Sequence, residues 1–184
     1  MRIAMFAAAG TFVLLCACGG PQTSQANNAQ ANISNESRAT SNGMVMLAAQ
    51  SVAGQQARAI MHERHEGMET IGKTNKAIKR ELDSASPNMT ALRAGAAQIA
   101  DLSRKASGWF PAGTGPDVGK TGAKPEIWQD PKDFASKLHN FQTAAAAFNQ
   151  AAMSGDVSLI KAKWGELGQA CKACHDKYRS EMHH

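Results

Sequence analysis

The sequence predicts an all-α protein, an antiparallel up-down four-helix bundle, and three observations carry the prediction. Alanine is abundant while aromatic residues make up only 5% of the 184 residues. β-branched residues are sparse outside a few positions, which favours helices packed through small side chains. Apolar residues recur at spacings of three and four in four separate stretches on the carboxyl-terminal side of an apolar leader and a polar segment.

The elements follow in chain order. Met1 to Cys18 carries one positive charge, Arg2, then an apolar run from Ile3 through Leu15 and a small-residue end, Cys16-Ala17-Cys18. This is the layout of a secretory signal, too short to span a bilayer comfortably as a mature helix. Leu15-Cys16-Ala17-Cys18 resembles a bacterial lipobox, which implies that Cys18 becomes the lipid-bearing first residue of the mature chain; cleavage by an ordinary signal peptidase is the alternative. Gly19 after the cysteine resembles the outer-membrane sorting pattern of lipoproteins. The expected location is the periplasm, with a lipid anchor in a bacterial membrane, the outer membrane favoured. Residues 19–43, rich in Asn, Gln, Ser, Thr and Ala, cannot bury enough surface to offset their ordering entropy. They are expected to form a flexible tether with a span of roughly 25 to 30 Å. Residues 44–184 then make one domain.

A first helix is expected from about Ser51 to Leu82, with Ile60, Arg64, Met68, Ile71, Asn75, Ile78 and Leu82 on one stripe, ended before Pro87. A second, from about Met89 to Ser107, carries Met89, Leu92, Ala96, Ile99, Leu102 and Ala106, with Asn88 as its N-cap. Gly108 to Asp130, rich in Gly and Pro, reads as a long connection pinned at both ends by Trp109, Phe110 and Trp128. The third helix, about Pro131 to Ser154, stacks Phe134, Leu138, Phe141, Ala145, Phe148 and Ala152. Gly155-Asp156 turns the chain into a fourth, about Val157 to Met182, whose stripe holds Val157, Ile160, Trp164, Leu167, Cys171, Cys174, His175 and Tyr178. The last three chemistry-bearing residues are thus expected on a buried face.

Cys171-Lys172-Ala173-Cys174-His175 is a CxxCH pentapeptide. Two thiols at this spacing suit thioether formation with the two vinyl groups of a haem, and the adjacent imidazole suits the iron, so the expected cofactor is one covalent haem c with His175 as axial ligand. A CxxC pair also serves thioredoxin-like redox sites and zinc half-sites. The first requires an alternating strand and helix pattern, and the second requires another ligand pair; the remaining cysteines, Cys16 and Cys18, lie in the leader. The net charge of +5 is spread among acids instead of forming a long basic run, which gives no support to nucleic-acid binding.

A carboxyl-terminal CxxCH on the last of four helices resembles the cytochrome c' family, the class II c-type cytochromes. Cys171-Lys172-Ala173-Cys174-His175-Asp176-Lys177-Tyr178-Arg179 resembles the terminal signature. Arg64-xxx-Met68-xxx-Gly72 resembles the first-helix pattern, and Lys124-Pro125-Glu126-Ile127-Trp128 the approach to the third helix. The resemblance implies a periplasmic haem protein, often a homodimer paired through its first two helices. It implies thioethers at Cys171 and Cys174, His175 as proximal ligand, Arg64 near a haem propionate, and Met68 over the distal face of the iron. Redox proteins of the periplasm or membrane are the expected partners.

Two functions divide at Met68. Coordination by its sulfur makes a His/Met centre suited to electron transfer, and this is the favoured reading. If Met68 merely packs over the face, an open position binds nitric oxide or carbon monoxide. His62 and His65 lie three apart, which does not match the zinc-protease helix motif. His65 is read as a surface or propionate-side residue, and His139 has no partner identifiable from sequence. His183 and His184 end the chain. No enzymatic activity is expected, since peroxidase chemistry needs a distal acid/base group that Met68 does not supply.

Overall fold

The computed structural model describes residues 26–181, with side chains from Met44 onward except at positions 45 and 48. The expected signal segment, the expected lipidation site Cys18, the start of the expected tether, and Met182, His183 and His184 lie outside the described residues. Among the described residues five α-helices follow one another: α1 Ala26–Asp83, α2 Met89–Lys105, the short α3 Glu126–Gln129, α4 Pro131–Ser154 and α5 Val157–Tyr178, with a 3-10 turn at Ala106–Gly108 after α2. The chain divides into two compact units, Met1–Leu47 and Ala48–His184.

In the first unit the described residues, from Ala26 onward, are helical. This corrects the expectation of a flexible tether over residues 26–43 and of a helix beginning near Ser51. The run from Ala26 to Asn42 holds neither Gly nor Pro, so no residue in it breaks a helix, although no apolar stripe marks one. Met44, Met46 and Leu47 are exposed.

In the second unit, α1 from Ala48 onward, α2, α4 and α5 form the bundle. Local chemistry sets their ends. The Asn88 side chain accepts from the Ala91 N–H at the start of α2. Asp130 caps α4, whose first position is Pro131. Gly155, at φ 78°, ends α4 in the left-handed conformation, and Asp156 then caps α5 by accepting from Ser158 and Leu159. The expected bounds of α4 are reproduced residue for residue.

Contacts between helices fix their directions. Gly95 of α2 lies against Ile78 of α1, and Thr74 of α1 donates to Gln98 of α2 at 2.7 Å. Numbers fall along α1 as they rise along α2, so the two run antiparallel. Arg93 of α2 donates to the Ala152 carbonyl of α4 and Gln142 of α4 to that of Ser103, which makes α2 and α4 antiparallel as well. The two-residue turn at Gly155-Asp156 reverses the chain once more. It follows that α1 and α5 are antiparallel.

The core holds the expected stripes: Ile71, Ile78 and Leu82 from α1, Leu92, Ala96 and Ile99 from α2, Phe141, Ala145 and Phe148 from α4, Ile160 and Leu167 from α5. Leu92, Ile99, Phe148 and Ile160 are fully buried, each contributing about 1.5–3 kcal/mol relative to an exposed side chain. A second, smaller cluster joins Ile127, Phe134 and Tyr178, with Phe134 edge-on to both Phe110 and Tyr178 at centroid distances of 4.8 and 5.2 Å.

The connection between α2 and α4 is pinned as expected. Trp109 is buried, and the Trp128 indole N–H donates to the carbonyls of Phe110 and Pro111. What the periodicity did not anticipate is α3, which carries Ile127 and Trp128. Nor does α5 reach Met182. At Arg179 the chain becomes extended and pairs antiparallel with Ala123, Lys124 donating to the Tyr178 carbonyl and Ser180 to that of Gly122, each at 2.9 Å. These bonds to the loop replace another helical turn.

Candidate functional site

Helix α5 carries the two thiols at i and i+3, a spacing that sets them on one side of an α-helix. Both are free and half-buried. Cys171 packs against the main core and Cys174 against the smaller cluster. Burial pushes the Cys171 thiol up, and it pushes Cys174 to about 11, with neighbouring Cys171 adding to the effect. Redox and zinc cysteines require the opposite, an environment that stabilises thiolate. Burial here thus disfavours the thiolate that thiol–disulfide exchange needs.

His175 corrects the expectation that it continues the buried stripe. One residue beyond Cys174, it is turned about 100° around the helix, and it is exposed where Ile160, Leu167 and Tyr178 are buried. Desolvation, and then the Arg179 cation, lower the pKa of His175 below its ordinary 6.5. The neutral imidazole, the form that donates a lone pair to iron, is favoured at neutral pH.

Opposite α5 lies α1. The Trp164 indole N–H donates to Asn75 Oδ1 at 2.7 Å. Met68 lies seven residues before Asn75 (75 − 68) and Cys171 seven after Trp164 (171 − 164). In antiparallel helices these equal offsets carry both residues about 10 Å in the same direction. Two turns also restore the facing side of each helix. Met68 is therefore level with Cys171, and both border the main core.

Arg64 sits one turn before Met68 and is 4% exposed. Its guanidinium donates to the carbonyl of Trp109 at 2.9 Å, to Oγ1 and the carbonyl of Thr114 at 3.2 and 2.9 Å, and to Thr121 Oγ1 at 2.9 Å. It also lies 5.1 Å from the Phe110 ring centroid. No carboxylate pairs with it among the described residues, and desolvation lowers its pKa.

The lining fits a haem. An apolar macrocycle requires apolar walls, which Met68, Leu138 and Trp164 at the core margin supply; two thiols and a neutral imidazole stand in one helix, and a buried cation without an acidic partner suits a carboxylate. His62, His65 and His139 are exposed. His65 groups with Glu66 and Glu69 on α1, Glu69 being ion-paired with Lys73 at 2.8 Å.

The end of α5 is fastened beside the pentapeptide. Lys177 Nζ donates to carboxylate oxygens of Asp130 and Asp133, each at 2.9 Å, and the Tyr178 hydroxyl donates to Asp133 at 2.6 Å. Sequence reading missed this clamp and the Asn75–Trp164 bond. Their partners stand 44 to 89 residues apart, and no local pattern signals such pairs.

A family model described as Cytochrome C' matches residues 59–179. Cytochrome c' of Alcaligenes xylosoxydans xylosoxydans is 40% identical over 73 residues, covering 40% of this chain and 56% of that protein, so the match spans little more than half of the relative. Among solved structures, a cytochrome c' described as having ligand-controlled dimer dissociation superposes with a TM-score of 0.63 at 29% identity, over 68% of this chain and 97% of that one. The nitric oxide complex of a mutant cytochrome c prime from Alcaligenes xylosoxidans gives 0.62 at 26% identity, again over 68% and 97%.

Proposed function

The chain belongs to the cytochrome c' family, and on that footing we propose that it is a periplasmic electron carrier whose haem c is attached at Cys171 and Cys174 and ligated by His175 and Met68. The observation that carries the reading is the level placement of Met68 with Cys171, set by the Asn75–Trp164 bond. Bound there, the haem supplies a one-electron couple, and thioether ligation favours its ferrous form and raises the potential. The chain's own residues do the rest. The Cys171 and Cys174 sulfurs fix the macrocycle to α5, neutral His175 offers its ring nitrogen, and Arg64 balances a carboxylate charge inside the bundle. Core side chains exclude water, which lowers the reorganisation accompanying electron transfer.

An electron carrier of this kind meets redox proteins in the periplasm or at the membrane. The lipid anchor at Cys18, in the outer membrane by preference, would hold it there, and a homodimer through α1 and α2 accords with the dimeric relative. We assign no enzymatic activity: Met68 carries no proton to donate, and His65 is exposed.

A second reading has a specific observation behind it, the nitric oxide complex of a relative. In that reading Met68 packs without bonding, and the open position takes nitric oxide or carbon monoxide. The ferric visible spectrum separates the two. A low-spin spectrum that Met68→Leu converts to high-spin supports His/Met ligation; a high-spin spectrum with a charge-transfer band in the unaltered protein overturns it in favour of gas binding.

A further inference from the structure

We propose that Gly67 and Trp109 form a positioning pair that sets how closely Met68 approaches the iron; this rests on the reading that Met68 lies over the distal face. A Cβ added at Gly67 would stand 2.2 and 2.4 Å from Cη2 and Cζ2 of Trp109, and 3.0 Å from Cζ3. Carbon atoms settle at about 3.5–4.0 Å. The benzo edge of the indole therefore rests directly on the α1 backbone, at the residue before Met68, and only glycine allows it.

Trp109 has little room to give way. It is 2% exposed. Its indole N–H donates to Glu63 Oε1 at 3.1 Å, its carbonyl accepts from Arg64 at 2.9 Å, and its backbone N–H donates to the Ala106 carbonyl at 3.2 Å. The turn of α1 that precedes Gly67 thus holds the tryptophan through Glu63 and Arg64. Farther along, α1 is tied to α5 at Asn75. Met68 lies between these two stations. A side chain at Gly67 has to push this turn of α1 away from the tryptophan while Asn75 stays in place, so Met68 is displaced relative to α5. A metal–sulfur bond is short and tolerates little such displacement, whereas a packing contact does.

The test uses the haem-loaded full chain. Gly67→Ala is expected to move the ferric spectrum from low-spin toward high-spin and to raise the rate of carbon monoxide association with the ferrous protein at least about tenfold, since a withdrawn Met68 no longer competes. Gly54→Ala is the control for the gain of an alanine in the same helix, because a Cβ there meets only the end of Arg58, at 3.9 Å; it should change neither readout. Trp109→Phe, which takes the benzo edge off Gly67, provides a second variant should Gly67→Ala not fold, and it is expected to shift the same spin equilibrium. Combining Gly67→Ala with Trp109→Phe should return the spectrum toward that of Trp109→Phe alone. If Met68→Leu leaves the ferric spectrum unchanged, the ligation reading fails, and carbon monoxide association alone reports on the pair. Folded Gly67→Ala and Trp109→Phe proteins with wild-type spectra and wild-type association rates overturn the proposal.

Discussion

Trp164 of α5 donates its indole proton to Asn75 of α1 at 2.7 Å, and this bond sets the register that puts Met68 level with Cys171. A directional bond between half-buried partners opposes sliding, since displacement leaves both without a partner.

Trp164→Phe tests that role. The ring still fills the core margin, and the lost bond costs about 0.5–1.5 kcal/mol, measurable as a lowered urea midpoint with little change in the denaturant slope. In the haem-loaded protein the ferric spectrum should also report a mixture of spin states. A loss of stability with an unaltered spectrum would mean that the bond does not position Met68.

The clamp at the end of α5 gives a pH dependence. Hydrogen bonds from Tyr178 and then Lys177 hold the Asp133 carboxyl below its ordinary 3.8, and Lys177 is raised above its ordinary 10.5 by Asp130 and Asp133. A depressed carboxylate stabilises the fold above its unfolded pKa, and the contribution disappears as pH falls through the folded value. Raised Lys177 behaves oppositely, contributing below its unfolded pKa and losing the contribution as pH rises through the folded one. Thermal unfolding of wild type and Asp133→Asn should differ by a constant amount from pH 5 to 9, and the difference should shrink as the pH drops below about 3.8. A gap unchanged at pH 3 would remove Asp133 from the clamp.

The parts of this architecture legible in sequence are those decided within a few residues. Spacings of three and four expose the buried faces of α2 and α4, Asn88 caps the start of α2, and the Gly155-Asp156 turn separates α4 from α5. The haem pentapeptide is local too. What escaped notice depends on distance or on the absence of a pattern. Residues 26–43 form helix without an apolar stripe, α5 stops at Tyr178 because a loop more than 50 residues upstream competes for its backbone, and Gly67 gains its meaning only when Trp109 arrives against it. His175 was misplaced for a simpler reason: it stands about 100° around α5 from Cys174, at the edge of the stripe, where periodicity alone does not decide burial.

Arg64 combines two roles that separate variants can pull apart. Its guanidinium bonds to Trp109, Thr114 and Thr121 hold the loop between α2 and α3 onto α1, and this requires a planar fork with several donors. Balancing a propionate requires only charge. A lysine keeps the charge and loses the fork; methionine loses both. Both Arg64→Lys and Arg64→Met should therefore loosen the loop, seen as faster tryptic cleavage at exposed Lys120, with a stability loss of about 2–4 kcal/mol as buried carbonyls lose their donors. The midpoint potential should part them. A nearby buried cation disfavours the ferric state, so Arg64→Met should lower the potential while Arg64→Lys leaves it near wild type. Equal potentials in both variants, with the loop loosened in both, would make Arg64 a loop anchor without an electrostatic part in the redox couple.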